Sequence, residues 1–365
     1  MIRDKIDLKN KKIVVIYMLY FGDMVSLTPF LEVLRREAEG SEISLVVDSR
    51  FVDSVRYNPN VDHIIPADRA HMGMKATWNL GKKIGRQRPD ILLVLHGTSR
   101  TSLTALAMKP KFWTGEAGTR FDRFFMDRIL LVERKDCHAA EKYLRVLRDM
   151  GVENTANHGM QTFVSGEWEK AASEFFGEYG IHDRSDRLLG LSVNSSMEAK
   201  NWPAACFGRA ADHFAEKGYR PVFFGVKSEF PLIEEALSVM KHRDQAVIAA
   251  GRLSMGEFMA AASWCDAGLT NDSGPMYVFD SRGVPTIALF GPSNVKLHHP
   301  LGRRSCGLSS SDLPMEQDHV AHTVRDGSYT PIDRIPVEEV IRALEWALGL
   351  RESEEYGSHC KFIKA

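Results

Sequence analysis

Excess charge of either sign is missing from this sequence. Its 365 residues carry 47 Lys and Arg against 48 Asp and Glu, so no chain-wide field draws the protein to nucleic acid, and any basic surface has to be local. Patterned cysteine is missing too: Cys137, Cys206, Cys265, Cys306 and Cys360 are odd in number, scattered and without Cys-x-x-Cys spacing. That argues against a disulfide framework and a zinc site and fits a reducing cytoplasm. No run reaches the roughly 18 uncharged apolar residues that span a bilayer, and the charged stretch 1–10 has no secretion-signal core. The expectation is a cytoplasmic protein, peripheral to the inner face of a membrane at most. There is no GxSxG elbow, no GxxxxGK[ST] loop and no HExxH. The pair His298-His299 has no Asp, Glu or Cys at ligand spacing, so no metal is expected.

What is present is apolar material for a large core, 44% of the chain, enough for two domains. Residues 13–19 form a continuous, β-branched apolar run, the pattern of a strand covered on both faces of a parallel sheet. Residues 43–47 and 91–95 repeat it, with amphipathic helix patterns between. The second half has the same rhythm: strands at 188–193, 221–225, 267–269 and 286–290, helices at 203–217 and 257–264, and a closing amphipathic helix at 335–348. Such alternation predicts α/β domains with doubly wound parallel sheets. The expected division is 1–175, 176–335 and a C-terminal helix and tail at 336–365 that can cross back to the first domain, with the interdomain crossing between 165 and 187.

Ligands of such sheets sit at the carboxyl ends of the strands, and polar candidates fall there. Asp272 and Ser273 are good N-cap residues, Gly274 allows close backbone approach and Pro275 suits a first helical turn. The stretch Asp272 to Tyr277 therefore reads as a helix start, either an ordinary cap or a phosphate cradle. The loop 194–203 offers Ser195, Ser196 and Lys200 as donors to phosphate, or is a solvated loop. Glu229 can accept from ribose hydroxyls. In the first half, Asp23 follows the first strand and is either a helix cap or a general base on a hydroxyl; His63, His71, His96 and His138 are further candidates to line the cleft. Residues 110–136 mix aromatics with Lys and Arg, as either a solvated loop or a surface for an anionic acceptor.

Taken together, Tyr20-Phe21-Gly22-Asp23-Met24-Val25-Ser26-Leu27-Thr28-Pro29, Lys200-Asn201-Trp202-Pro203, Gly225 with Glu229, Asn271-Asp272-Ser273-Gly274-Pro275-Met276, Gly283-Val284-Pro285 and Leu289-Phe290-Gly291-Pro292 resemble glycosyltransferase family 9, the ADP-heptose:lipopolysaccharide heptosyltransferases. The resemblance spans residues 13–295. It implies a GT-B fold, two Rossmann-like domains facing a central cleft, with the acceptor in the first and the nucleotide sugar in the second. It implies an inverting transfer of heptose or a related sugar from an ADP-sugar donor to a lipopolysaccharide core or lipid A-linked acceptor, with no separate cofactor. By the same resemblance Asp23 is the base, Ser195, Ser196 and Lys200 steady the diphosphate, Glu229 holds the ribose, and Asp272, Ser273, Gly274, Pro275, Met276 and Tyr277 form the sugar-phosphate cradle. Two positions depart from the family pattern: Tyr277 stands where a His is frequent, and Tyr17 where an Arg follows the first strand. The alternatives are a GT-B nucleotide-sugar epimerase and a catalytically silent nucleotide-sugar-binding protein.

Overall fold

The computed structural model describes residues 5–130, 137–183, 185–313, 320–357 and 359–363. The last six residues of the 110–136 segment and parts of the C-terminal tail lie outside that set. The chain packs as two units, residues 1–159 and 160–365.

The first unit runs β1 (Lys12–Ile16), α1 (Phe21–Ser26), α2 (Thr28–Glu37), β2 (Glu42–Asp48), β3 (His63–Ala67), α3 (Met74–Gly85), β4 (Ile91–Val94), α4 (Ser99–Met108), β5 (Phe112–Gly115), β6 (Arg128–Ile129) and α5 (Ala139–Asp149). Its strands form one sheet in the order β3-β2-β1-β4-β5-β6, with every pairing parallel. Alternate residues of β1 feed two core layers. Val15 joins Phe30, Leu34, Tyr143 and Leu147 on one face, while Val14 and Ile16 join Ile84, Ala105 and Met108 on the other. This is why the strand reads as an unbroken apolar run.

The second unit runs α6 (Gly166–Gly177), β7 (Leu188–Ser192), α7 (Ala204–Ala215), β8 (Arg220–Phe223), α8 (Phe230–Ser238), β9 (Val247–Ile248), α9 (Met255–Ala262), β10 (Ala267–Asn271), α10 (Gly274–Ser281), β11 (Thr286–Phe290), α11 (Val295–His298), β12 (Cys306–Ser309), α12 (Val320–Asp326), α13 (Val337–Ala347) and β13 (Cys360–Phe362). The sheet order is β13-β12-β11-β10-β7-β8-β9. Counted from β7, it repeats the winding of the first sheet and adds a seventh strand. The doubly wound expectation therefore holds in both units. Helix α10 lies close on this sheet because Gly190 and Gly268 have no side chain: a Cβ on either would meet the Phe279 ring at 2.6 or 2.7 Å.

Two expected boundaries differ. Helix α6, which falls within the expected crossing at 165–187, packs with the second unit, its Trp168 ring standing 2.2 Å from where a Cβ on Gly256 of α9 would lie. Nor is the segment after 335 a separate piece. Val340, Ala343 and Leu344 of α13 enter the second core, and β13 pairs in parallel with β12. Lys361 Nζ then stands 2.6 Å from Glu339 Oε1, locking tail to helix.

Candidate active site

In a doubly wound sheet, the crevice opens where neighbouring strands lead their helices to opposite faces. The sheet orders put that switch point between β1 and β4 in the first unit and between β7 and β10 in the second. Asp23 follows β1, Lys200 follows β7, and Asp272 to Gly274 follow β10. Asp23, Lys200 and Asp272 to Gly274 thus follow the strands that flank the two switch points.

In the second unit, side-chain amides fix the site. Asn271, fully buried at the end of β10, donates through Nδ2 to the Val193 carbonyl at 3.0 Å and accepts the Trp202 backbone N–H at 3.0 Å. Asn201 donates to Asn194 Oδ1 at 3.0 Å and accepts the Ser195 N–H at 2.7 Å. Trp202 anchors the loop from below, its indole N–H donating to the Ile335 carbonyl at 3.0 Å. So held, Lys200 Nζ lies 2.6 Å from Asp272 Oδ2, with side-chain exposures of only 16% and 9%. Burial works against charge on Asp272, but Lys200 and then His298 outweigh it and hold the carboxyl below its usual range.

This arrangement revises the reading of the helix start. Ser273 does occupy the N-cap position, but no side chain caps α10; the Ser273 hydroxyl donates to the Asn271 carbonyl at 3.3 Å. Asp272 is not a cap but the buried partner of Lys200. A lysine and an uncapped helix start side by side can together hold an anion. Pro275 sits in the first turn. Met276 and Tyr277 are buried among the core residues. Ser195 is buried, with Oγ 3.4 Å from the Asp272 carbonyl, and Ser196 is exposed on the same loop. Glu229, just past β8, accepts from Asn194 Nδ2 at 2.9 Å and from the Val226 N–H at 3.2 Å, a carboxylate fixed in orientation.

In the first unit, Asp23 is half-buried in the first turn of α1 and accepts the Tyr20 N–H at 3.2 Å. The capping role is thus realised through one carboxylate oxygen. Tyr17 lies in the core, its hydroxyl against that of Tyr143 with the ring centroids 5.2 Å apart. The cation near this strand end is one the sequence reading missed: Arg69 donates to the Met18 carbonyl at 2.9 Å, and its guanidinium sits 5.6 Å from the Tyr20 ring centroid. Its position just past β3, at the carboxyl edge, was the available clue. Of the four histidines, His71 and His96 follow strands at this edge, and burial, reinforced by Arg69 and Lys142, pushes the pKa of His96 down. His63 begins β3 and so sits at the opposite edge, 3.0 Å from Glu42. His71 pairs with Asp68, and His138 caps α5 by accepting the Ala140 N–H. Asp212, Glu216 and His242 are close enough to share a cation, but Asp212 already accepts the N–H groups of Lys241 and His242 at 2.9 Å.

Two parallel sheets of the same winding, with charged groups gathered at their switch points, define a nucleotide- or phosphate-ligand protein of the two-Rossmann-unit class. The family model described as glycosyltransferase family 9 (heptosyltransferase) matches residues 77–326. The crystal structure of the glycosyl transferase family 9 from Veillonella parvula DSM 2008 superposes with a TM-score of 0.89 at 33% identity, covering 95% of this chain and 100% of that one. The chain belongs to glycosyltransferase family 9; it is a glycosyltransferase of GT-B fold. It is also similar to lipopolysaccharide heptosyltransferase 2 of Escherichia coli K12, 22% identical over 302 residues, 80% of this chain and 86% of that protein. The structure of E. coli ADP-heptose lps heptosyltransferase II shares the fold at a TM-score of 0.74 and 20% identity, covering 94% of this chain and all of the other. Lys200, Glu229 and Asp272 lie inside the family match; Asp23 precedes it.

Proposed function

We propose that this protein moves a heptose, or a closely related sugar, from an ADP-sugar to a hydroxyl of a lipopolysaccharide core acceptor, with inversion at the anomeric carbon. Asp23 takes the proton of the attacking hydroxyl, a role usually worth about 10²–10⁴-fold in rate. Negative charge growing on the departing ADP is met by Lys200 and the positive N-terminal end of α10, which makes a metal ion unnecessary. Glu229, with its carboxylate already oriented by Asn194, receives the ribose hydroxyls.

The observation that carries this reading is the Lys200–Asp272 pair beside an uncapped helix start at the switch point of the second sheet. Relatives named as lipopolysaccharide and lipooligosaccharide heptosyltransferases supply the choice of sugar and acceptor. Calorimetry with ADP, UDP and GDP tests the donor: ADP should bind most tightly, and a clear preference for UDP overturns the heptose assignment. Asp23→Ala should keep ADP affinity while losing transfer by about 10²-fold or more; unaltered turnover removes Asp23 as base. Product formed from donor alone, with no acceptor present, identifies an epimerase instead.

A further inference from the structure

The turn at residues 120–124 reverses the usual arrangement of polar and apolar groups. Phe121, Phe124 and Phe125 are 74%, 82% and 57% exposed, while Asp122 between them is 1% exposed. The buried carboxylate accepts from the N–H groups of Gly118 and Thr119 at 2.7 and 3.0 Å, from Thr119 Oγ1 at 2.7 Å, and from Ser102 Oγ of α4 at 2.6 Å. A fixed turn thus presents three phenyl rings to solvent, flanked by exposed Arg120 and Arg123. Isolated exposed apolar side chains are ordinary; a rigid cluster of them marks a contact surface.

The same layer of helices is strongly basic. Between residues 74 and 111 the sequence has eight Lys or Arg and one acid, Asp90, in a chain whose net charge is −1. Asp90 pairs with Lys111 at 2.7 Å. Lys75, Lys82, Lys83, Arg86, Arg88 and Lys109 are all exposed, and none has a carboxylate partner among the described residues. Lys9 with Glu39 and Arg35 with Asp62, on other parts of the first unit, are matched. Lys75, Trp78 and Lys82 share one face of α3 by helical spacing, with the Lys82 ammonium 5.8 Å from the Trp78 ring centroid. At the helix ends, Lys82, Arg86, Arg88 and Lys109 surround a cavity of about 510 Å³ with Ala107 and Met108 in its wall. Helix α4 joins the two features, holding the aromatic turn through Ser102 and lining the basic cavity with Met108.

We propose that this face of the first unit, formed by α3, α4 and the turn at 120–125, docks on the surface of an anionic phospholipid bilayer. The phenyl rings enter the interfacial layer and the unpaired cations meet headgroup phosphates. Apolar rings beside lysines and arginines are the combination that binds such a surface, where each nearby cation contributes roughly fivefold in affinity. A basic surface without the aromatic turn would suit any polyanion; the turn selects one that also offers hydrocarbon.

The test is sedimentation of the full chain with vesicles of phosphatidylcholine alone and of phosphatidylcholine mixed with phosphatidylglycerol, at low and high salt. No sugar donor or acceptor is present, so the result is independent of the proposed transfer reaction. Pelleting is expected only with phosphatidylglycerol and should fall at high salt. Phe121→Ser with Phe124→Ser and Phe125→Ser should weaken it at least tenfold without lowering the melting midpoint; if the triple variant folds poorly, Phe124→Ser alone should still weaken it measurably. Lys82→Glu with Arg86→Glu and Lys109→Glu should abolish it. Equal pelleting with both vesicles, wild-type binding by the aromatic variants, or release by millimolar inorganic phosphate overturns the proposal. So does a dimer in solution that the aromatic substitutions dissociate.

Discussion

Removing either member of the Lys200–Asp272 pair tests how the cradle is held. The two charges lie 2.6 Å apart with side chains 16% and 9% exposed, and breaking a buried pair leaves an uncompensated charge, at a cost of about 3–5 kcal/mol. Lys200→Met strands the more buried partner, Asp272, with His298 as its remaining positive neighbour, and is expected to cost about 3 kcal/mol. Asp272→Ala strands an ammonium on a flexible stem that can turn toward water, so about 2 kcal/mol is expected once solvent screening is counted. The double variant has no stranded charge and should cost less than the sum by about 2 kcal/mol. Urea unfolding monitored by calorimetry and tryptophan emission measures the cycle, with Trp202 two residues from the lysine as a local reporter. Saturating ADP adds a second arm: if diphosphate replaces the carboxylate as counter-charge, it should raise the midpoint of Asp272→Ala more than that of the unaltered protein. Single variants costing under about 1 kcal/mol, with coupling below about 0.5 kcal/mol, would show a solvated surface pair and refute the reasoning.

Other substitutions probe the supports. Asn271→Leu leaves the Trp202 N–H and the Val193 carbonyl without their partners, and should cost about 2 kcal/mol or more by denaturant midpoint. Gly256→Ala drives a methyl into the Trp168 ring and should cost about 1–3 kcal/mol, part of which Trp168→Leu in the same chain recovers. Burial opposes charge on Glu339, but hydrogen bonds from Lys361, Arg342 and Tyr356 outweigh it and pull its pKa from the ordinary 4.5 down to about 2. Because the folded value is the lower one, this contribution is complete above pH 4.5 and is lost as pH falls toward 2. Protection of the amides at residues 360–362, measured as exchange relative to the intrinsic rate at each pH, should therefore fall over that window, and in Glu339→Gln it should be low already at neutral pH and change little with acid.

The central strands were legible in the sequence because helices cover both faces of the sheet, nearly every position along them is buried, and most of those positions are apolar. Edges carry no such constraint. Strand β3, with His63 and Pro66, lies at one edge of its sheet, where a proline costs no ladder bond; β6 has two residues, and β13 is half-buried throughout. None of these reads as a strand. The candidate residues were legible by position, since each follows an apolar run, but not by partnership. Arg69 sits in a loop without a motif, and nothing local says that it reaches the carbonyl of Met18, fifty-one residues earlier.

Asp272 shows the same limit from the other side and explains what its misreading conceals. An Asp before Ser-Gly-Pro has the chemistry of a helix cap, yet a carboxylate capping α10 would fill the place an anionic ligand needs. Turned instead toward Lys200, seventy-two residues away in the chain, the same carboxylate holds a mostly buried lysine in place and leaves the helix start without a side-chain cap. The pair is close to neutral at rest, so the cradle does not have to bury a bare cation while it waits. In the proposed transfer, an arriving diphosphate would find the lysine already oriented beside a helix start that no side chain caps, which is the preorganisation that charge stabilisation requires.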